Sequence, residues 1–189
     1  MNYRRANSAD WDAILALQEA NLFDNLGEGE RAQGFLSVRF RGDQFSDMND
    51  GAAVVVGEHV QGILGYACAS TQGFNARVPI IRAMIAAFPR LSLLGRPLQS
   101  PGTVIYGPVC VDRGYRGKGV FRRLIDTLKQ ELRGRYHTAA AFIAKSNTRS
   151  LAAHVDGLGM TIVGDFEFDG RSLWIVSFAI PPEAVACHI

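Results

Sequence analysis

One stretch constrains this chain more than any other: Val109-Cys110-Val111-Asp112-Arg113-Gly114-Tyr115-Arg116-Gly117-Lys118-Gly119-Val120-Phe121-Arg122-Arg123-Leu124. Thr103 to Asp112, rich in β-branched and aromatic residues, reads as a strand. It runs into a loop crowded with glycine and cations, and a helix begins inside that loop. The helix reads from Gly117 to about Arg133, with Val120, Phe121, Leu124, Ile125, Leu128 and Leu132 on one apolar stripe. Unpaired amides at a helix start carry partial positive charge along the axis. Glycines let backbone approach an anion closely, so a phosphate or pyrophosphate is the natural ligand. Arg116 and Lys118 add charge at the same place. Two phosphate loops fail here. Asp112 stands at the first glycine of a P-loop and Gly119 at its Ser/Thr, and Arg122 replaces the third glycine of a dinucleotide fingerprint.

The flanking elements place this turn in a sheet. Met1 to Arg5 reads as a short strand, and Ser8 offers a hydroxyl cap to a helix carrying Trp11, Ile14 and Leu15, with Asp10 in its first turn. The stretch from Asn21 to Asn49 reads as loops with one short helix near Glu30 to Gly34. Ala53 to Val56 and Gly62 to Cys68 read as paired strands around a tight turn. Ile80, Ile81, Met84, Ile85 and Phe88 are spaced for a helix ended by Pro89, inside a long connection that reads equally as a lid or as added core. Ala139 to Ala144 reads as a strand and Asn147 to Val155 as a helix. Met160 to Phe168 and Leu173 to Ile180 read as a hairpin around Asp169-Gly170. Helices that fall between groups of strands give a mixed α/β, or α+β, sheet rather than a doubly wound one.

A strand, a cationic glycine turn and an amphipathic helix in this order resemble the GNAT superfamily of acyl-CoA-dependent N-acyltransferases. The signature Arg/Gln-x-x-Gly-x-Gly/Ala is met by Arg116-Gly117-Lys118-Gly119-Val120-Phe121, except that Phe121 stands at the last, small position. Its place on the apolar stripe implies a ring turned into the core. The resemblance implies a mostly antiparallel central sheet, splayed near Val109 to Asp112, with helices on both faces. It also implies that Gly117 to Phe121, followed by Arg122, hold the pyrophosphate of acetyl-CoA. The backbone of Cys110, Val111 and Asp112 would pair with the pantetheine, and an amide near Val111 would stabilise the tetrahedral oxyanion.

The family has a further helix opened by Asn beside the pantetheine, and Asn147-Thr148-Arg149-Ser150-Leu151-Ala152-Ala153-His154 matches its pattern. Asn147 and Ser150 are therefore cofactor-side residues by resemblance. The family's Tyr, seven residues after the Asn, often protonates the departing thiolate. His154 stands there, and Gly159-Met160 follows one residue late. His154 is the candidate general acid, against the alternative of a histidine that only supports the helix. The strand Thr103 to Val111 carries no carboxylate, so the base has no obvious owner; Glu58, Asp165 and Glu167 lie elsewhere. Tyr106 and Cys110 read as packing residues.

Composition narrows the rest. The chain has 189 residues, 48% of them hydrophobic, which fits a single domain spanning 1–189. Its net charge of +2 implies no polyanionic partner by itself. Arg113, Arg116, Lys118, Arg122, Arg123, Lys129, Arg133 and Arg135 form a basic stretch that a nucleic-acid-binding module could present. Cys68, Cys110 and Cys187 are widely spaced and contain no CxxC pair, so neither a metal site nor a disulfide framework is implied. A polar opening and no long apolar run point to the cytoplasm without membrane attachment. The reading is an N-acetyltransferase that moves an acetyl group from acetyl-CoA to a small-molecule or protein amine, possible as a homodimer. The alternative within the same fold is a non-catalytic acyl-CoA-binding domain.

Overall fold

Alternation along the central strands decides the layering. Val54 and Val56 enter one apolar cluster with Tyr66 and Cys68, whereas Ala53, Val55, Ala67 and Ala69 enter another on the opposite face. Side chains of a strand alternate faces, so a continuous apolar run requires cover on both sides. The computed structural model of the chain describes residues 1–183; Cys187 lies outside the described residues.

The strands are β1 (Asn2–Arg5), β2 (Ala53–His59), β3 (Gly62–Ser70), β4 (Ser92–Leu93), β5 (Arg96–Pro97), β6 (Thr103–Val111), β7 (Thr138–Ala144), β8 (Thr161–Phe168) and β9 (Arg171–Ala179). Seven of them form one sheet in the order β1-β2-β3-β6-β7-β9-β8. Every neighbouring pair is antiparallel except β6 and β7. The sheet is therefore mixed and mostly antiparallel, as the resemblance implies. The helices are α1 (Trp11–Glu19), α2 (Glu28–Arg31), α3 (Gly42–Gly51), α4 (Gln72–Asn75), α5 (Pro79–Ala87), α6 (Val120–Leu132) and α7 (Thr148–Leu158). Ile14, Phe45, Met48, Ile81 and Met84 bring α1, α3 and α5 into the first cluster. Leu124, Ile125, Leu128 and Leu132 of α6 enter the second, with Leu151 and Val155 of α7 packed against it.

Several local readings are corrected. The first cap is Asn7, not Ser8: its side chain accepts from Ala9 N, and Asp10 reaches back to its backbone. Asp10 also takes two hydrogen bonds from Arg4, which hold its carboxyl below the usual carboxylate range. Helix α3 was hidden by its glycines and acids, yet it buries Phe45 and Met48. The 71–102 connection is core rather than lid, since Ile80, Ile81, Met84, Ala87, Phe88 and Leu93 are buried.

The decisive irregularity lies in β6. It pairs with β7 only over Thr103–Ile105 with Thr138–Ala140, then the two diverge. The splay thus opens at Tyr106, three residues before the Val109 expected from sequence. Against β3, two steps from Ala67 to Ala69 span three from Val109 to Tyr106, so β6 carries one extra residue at Gly107-Pro108. Gly107 has φ +110°, and Pro108 has no N–H to donate to a neighbouring strand.

Candidate active site

The free edge of β6 and helix α7 form the walls of a cleft closed at one end by the start of α6. Asp112 N–H donates to Leu64 O at 2.8 Å. Successive amides of a strand alternate edges, so the N–H groups of Val111 and Val109 point into the gap. Beyond β6 a single 3-10 turn, Arg113–Tyr115, is capped by Asp112, whose carboxylate accepts from Gly114 N at 2.8 Å. Gly117 and Gly119 follow with φ +74° and +80°, and a Cβ at either would meet nothing within 4 Å. Their requirement is therefore conformational, and it leaves open space in front of the backbone. Helix α6 begins at Val120, three residues later than its sequence pattern reads, with Gly119 as a left-handed cap. Its first internal bond is Arg123 N to Gly119 O, so the amides of Val120, Phe121 and Arg122 have no helical acceptor.

This cleft has a volume of about 430 Å³ and is lined by Cys110, Val111, Arg116, Gly117, Gly119, Phe121, Arg122 and Ser150, all named from sequence. Four other residues named there take different places. Asp112 is the cap just described, and Val120 is buried in the core. Lys118 turns its ammonium over the Tyr115 ring at 5.1 Å. Asn147 caps α7 by accepting from Ser150 N at 3.2 Å and lines a second pocket instead.

Arg116 does not point its charge freely into the cleft. It donates to Val111 O at 3.1 Å, Gln33 O at 2.8 Å and Asn21 Oδ1 at 2.8 Å. It thereby ties the N-terminal segment to the cleft wall. Arg149 of α7 donates to the Gln33 side chain from the other wall. Gln33, Gly34, Phe35 and Leu36 thus roof the cleft, a role that no motif announces. Arg122 donates to Gly157 O, joining α6 to α7. Phe121 is half-buried rather than sunk in the core, and its ring meets His154 edge-on with centroids 4.9 Å apart.

His154 is buried. Its Nδ1 lies 2.7 Å from Ser150 O, which can only accept, so Nδ1 carries the proton. Nε2 then accepts from the Tyr106 hydroxyl at 3.2 Å. Burial pushes the imidazole pKa down to about 4, so the ring is neutral at neutral pH and holds no second proton in reserve. Burial likewise raises the Tyr106 hydroxyl well above its ordinary range, and the Cys110 thiol to about 12. Tyr106 is thus the partner of His154 as well as a packing residue. The three carboxylates named from sequence lie outside the cleft: Glu58 pairs with Arg4, Asp165 with Lys145, and Glu167 accepts from Ser172.

A second pocket of about 110 Å³ opens where β6 and β7 separate. It shares Phe35, Leu36, Val109, Ser150 and His154 with the cleft, and among the described residues His154 is the only ionisable side chain common to both.

The sequence model of the Acetyltransferase (GNAT) family matches residues 11–160. The chain belongs to the GNAT acetyltransferase family. No curated protein sequence matches it. Among solved structures, smu.2055 from Streptococcus mutans UA159 superposes with a TM-score of 0.63 at 16% identity, covering 96% of this chain and 100% of that one. Ribosomal-protein-alanine N-acetyltransferase from Brucella melitensis gives 0.62 at 21% identity, covering 95% and 99%. The putative acetyltransferase yncA from Salmonella typhimurium, solved with its cofactor acetyl-CoA, gives 0.61 at 20% identity, covering 100% and 99%. At these identities the likeness is one of fold. In this GNAT acetyltransferase, several members of the basic stretch noted in sequence make contacts within the chain while staying at its surface. Arg113 pairs with Glu30, Arg135 donates to Ala52 O, and Lys129 lies 5.0 Å over the Phe178 ring. Among the described residues, no helix is long and apolar enough to cross a membrane, and no three His, Cys, Asp or Glu side chains gather as metal ligands.

Proposed function

We propose that this acetyltransferase moves the acetyl group of acetyl-CoA to a neutral amine within a ternary complex. The observation that carries the reading is the meeting of two spaces at His154. One is a cleft with free amides and arginines; the other is an apolar pocket. The amides of Val120 to Arg122, with the open backbone at Gly117 and Gly119, suit the pyrophosphate. The N–H groups of Val109 and Val111 suit the pantetheine and the oxyanion. Asn147 acts by capping α7 and Ser150 by lining both spaces, so both shape the site from the α7 side. The acyl donor found with yncA supports acetyl-CoA as the donor here.

His154 enters the reaction neutral. Its Nε2 takes the proton of the Tyr106 hydroxyl as that hydroxyl takes one from the nitrogen of the tetrahedral intermediate, and the same relay reversed delivers the proton to the departing sulfur, so His154 serves as base and then as acid. Ser150 O holds Nδ1–H throughout, and the Tyr106 hydroxyl can turn from donor to acceptor as Nε2 gains its proton. Aligning the amine with the thioester supplies much of the acceleration, so no carboxylate base is required. We place this activity in one domain in the cytoplasm. One sheet joins β1 to β9, and the buried Cys68 and Cys110 are free thiols.

The deciding experiment is calorimetric titration of acetyl-CoA into the wild type and Gly119→Glu, followed by thiol-release assays with amines. Micromolar binding that the substitution abolishes, with circular dichroism unchanged, supports the reading. No binding to the wild type overturns it, and binding without thiol release from any amine returns the non-catalytic alternative.

A further inference from the structure

The second pocket bears on the chemical class of the acceptor, an inference that rests on the acyl-transfer reading above. Phe35, Phe40, Ile81, Pro108 and Phe142 contribute its walls, together with Tyr106 and His154. Among the described residues no Asp, Glu, Lys or Arg lines it, whereas Arg116, Arg122 and Arg149 line the adjoining cleft. Its volume of about 110 Å³ is far below that of sites for drug-sized ligands, so the part of an acceptor seated in it is about one ring in size.

These facts act against charged acceptors of either sign. An ammonium moved into the pocket leaves water with no carboxylate to meet it, and a carboxylate there finds no cation. An amine that is already neutral, on a flat apolar body, meets neither penalty and can pack against the aromatic walls. We propose that the acceptor is an arylamine: an amino group on a single aromatic ring without charged substituents, seated in the pocket where β6 and β7 separate.

The chemistry balances without further reagents. The arylamine nitrogen lone pair attacks the thioester carbonyl carbon and forms the C–N bond. The C–S bond breaks with its electron pair remaining on sulfur. The proton lost by nitrogen ends on that sulfur, so the products are an arylamide and CoA thiol. No ammonium has to be stripped before attack, which accords with a pocket that has no carboxylate.

The test compares para-toluidine with benzylamine, isomers of one size, using the full chain and acetyl-CoA at neutral pH with thiol release as the readout. The first is neutral there and the second protonated. The expected kcat/KM favours para-toluidine by about tenfold or more, with no measurable turnover of spermidine. The benzylamine rate should climb about tenfold per pH unit as its free base appears, while the para-toluidine rate stays flat. Ser37→Glu, which sets a carboxylate on an exposed residue of the pocket rim, should narrow the preference. Faster turnover of benzylamine or spermidine than of para-toluidine overturns the acceptor class and leaves acyl transfer standing. No thiol release from any amine, with para-toluidine seen on the CoA complex by saturation-transfer NMR, overturns acyl transfer and leaves the pocket assignment standing. Absence of both turnover and binding of para-toluidine overturns the pocket assignment.

Discussion

Arg116 and His154 show how a single side chain at the cleft can hold the fold around it. Three hydrogen bonds from Arg116 reach Val111, Gln33 and Asn21, residues far apart in sequence. Lysine has the charge but not the planar fork, so Arg116→Lys should keep at most one of the three. We expect it to cost about 1.5–3 kcal/mol in urea unfolding and to speed amide exchange at Gln33 to Leu36. Unchanged exchange there would mean that the roof is held by other contacts. His154 makes a pH-dependent contribution of the opposite kind. The folded ring titrates at about 4 and the ordinary value is 6.5. Its stabilisation is complete above the ordinary value. It is lost as pH falls toward the folded value, because only the unfolded chain takes up the proton. The loss amounts to about 2 kcal/mol by about pH 5. His154→Gln should remove that part of the slope. The same variant should lower kcat about a hundredfold while leaving acetyl-CoA affinity within about twofold. Wild-type turnover in this variant would take His154 out of the mechanism.

Helix α6 is the element that sequence and structure describe most alike. Val120, Leu124, Ile125, Leu128 and Leu132, all on its apolar stripe, are buried. Leu128 is fully enclosed, so Leu128→Ala should cost about 2–5 kcal/mol by thermal or urea unfolding. A cost under about 1 kcal/mol would mean that the second cluster relaxes around the void. Long elements with a strong apolar pattern are legible because burial writes it into them, as one stripe in α6 and as continuous runs in β2 and β9. Helix α3 was not, because Gly42, Asp43, Ser46, Asp47, Asn49, Asp50 and Gly51 leave it only Phe45 and Met48 as anchors. The glycine turn and the Asn147 cap of α7 were legible too, since backbone conformation and capping leave a trace in residue type. The roof from Gln33 to Leu36 left none. Its position depends on arginines 83 and 116 residues away in the chain, and local patterns do not record such pairings.

At the scale of the whole molecule, a seven-stranded sheet is held across its middle by three paired residues. Thr103–Ile105 meet Thr138–Ala140, and beyond them β6 and β7 keep free edges. β6 remains anchored on its other side by β3, and β7 by β9, so neither strand depends on the gap for its place. The opening between them is thus framed from outside. Unpaired strand amides are costly when buried away from water, so a cleft that exposes Val109 and Val111 N–H is a standing acceptor of extended polar chains. An arm lying between the walls should therefore act like a missing strand. Amide exchange measured with and without acetyl-CoA should show protection gained at Val109 and Val111 and across the start of α6. The amides of Ile105 and Ala140 should be slow in both states. If protection instead rises evenly over β1 to β9, the ligand is stabilising the fold as a whole rather than filling the splay. The roof adds a second signature. Arg116 and Arg149 reach Gln33 from opposite walls, so closing the gap from within should slow exchange at Phe35 and Leu36 as well. Exchange that slows at the strand amides but not at the roof would place the donor between the walls without engaging the N-terminal segment.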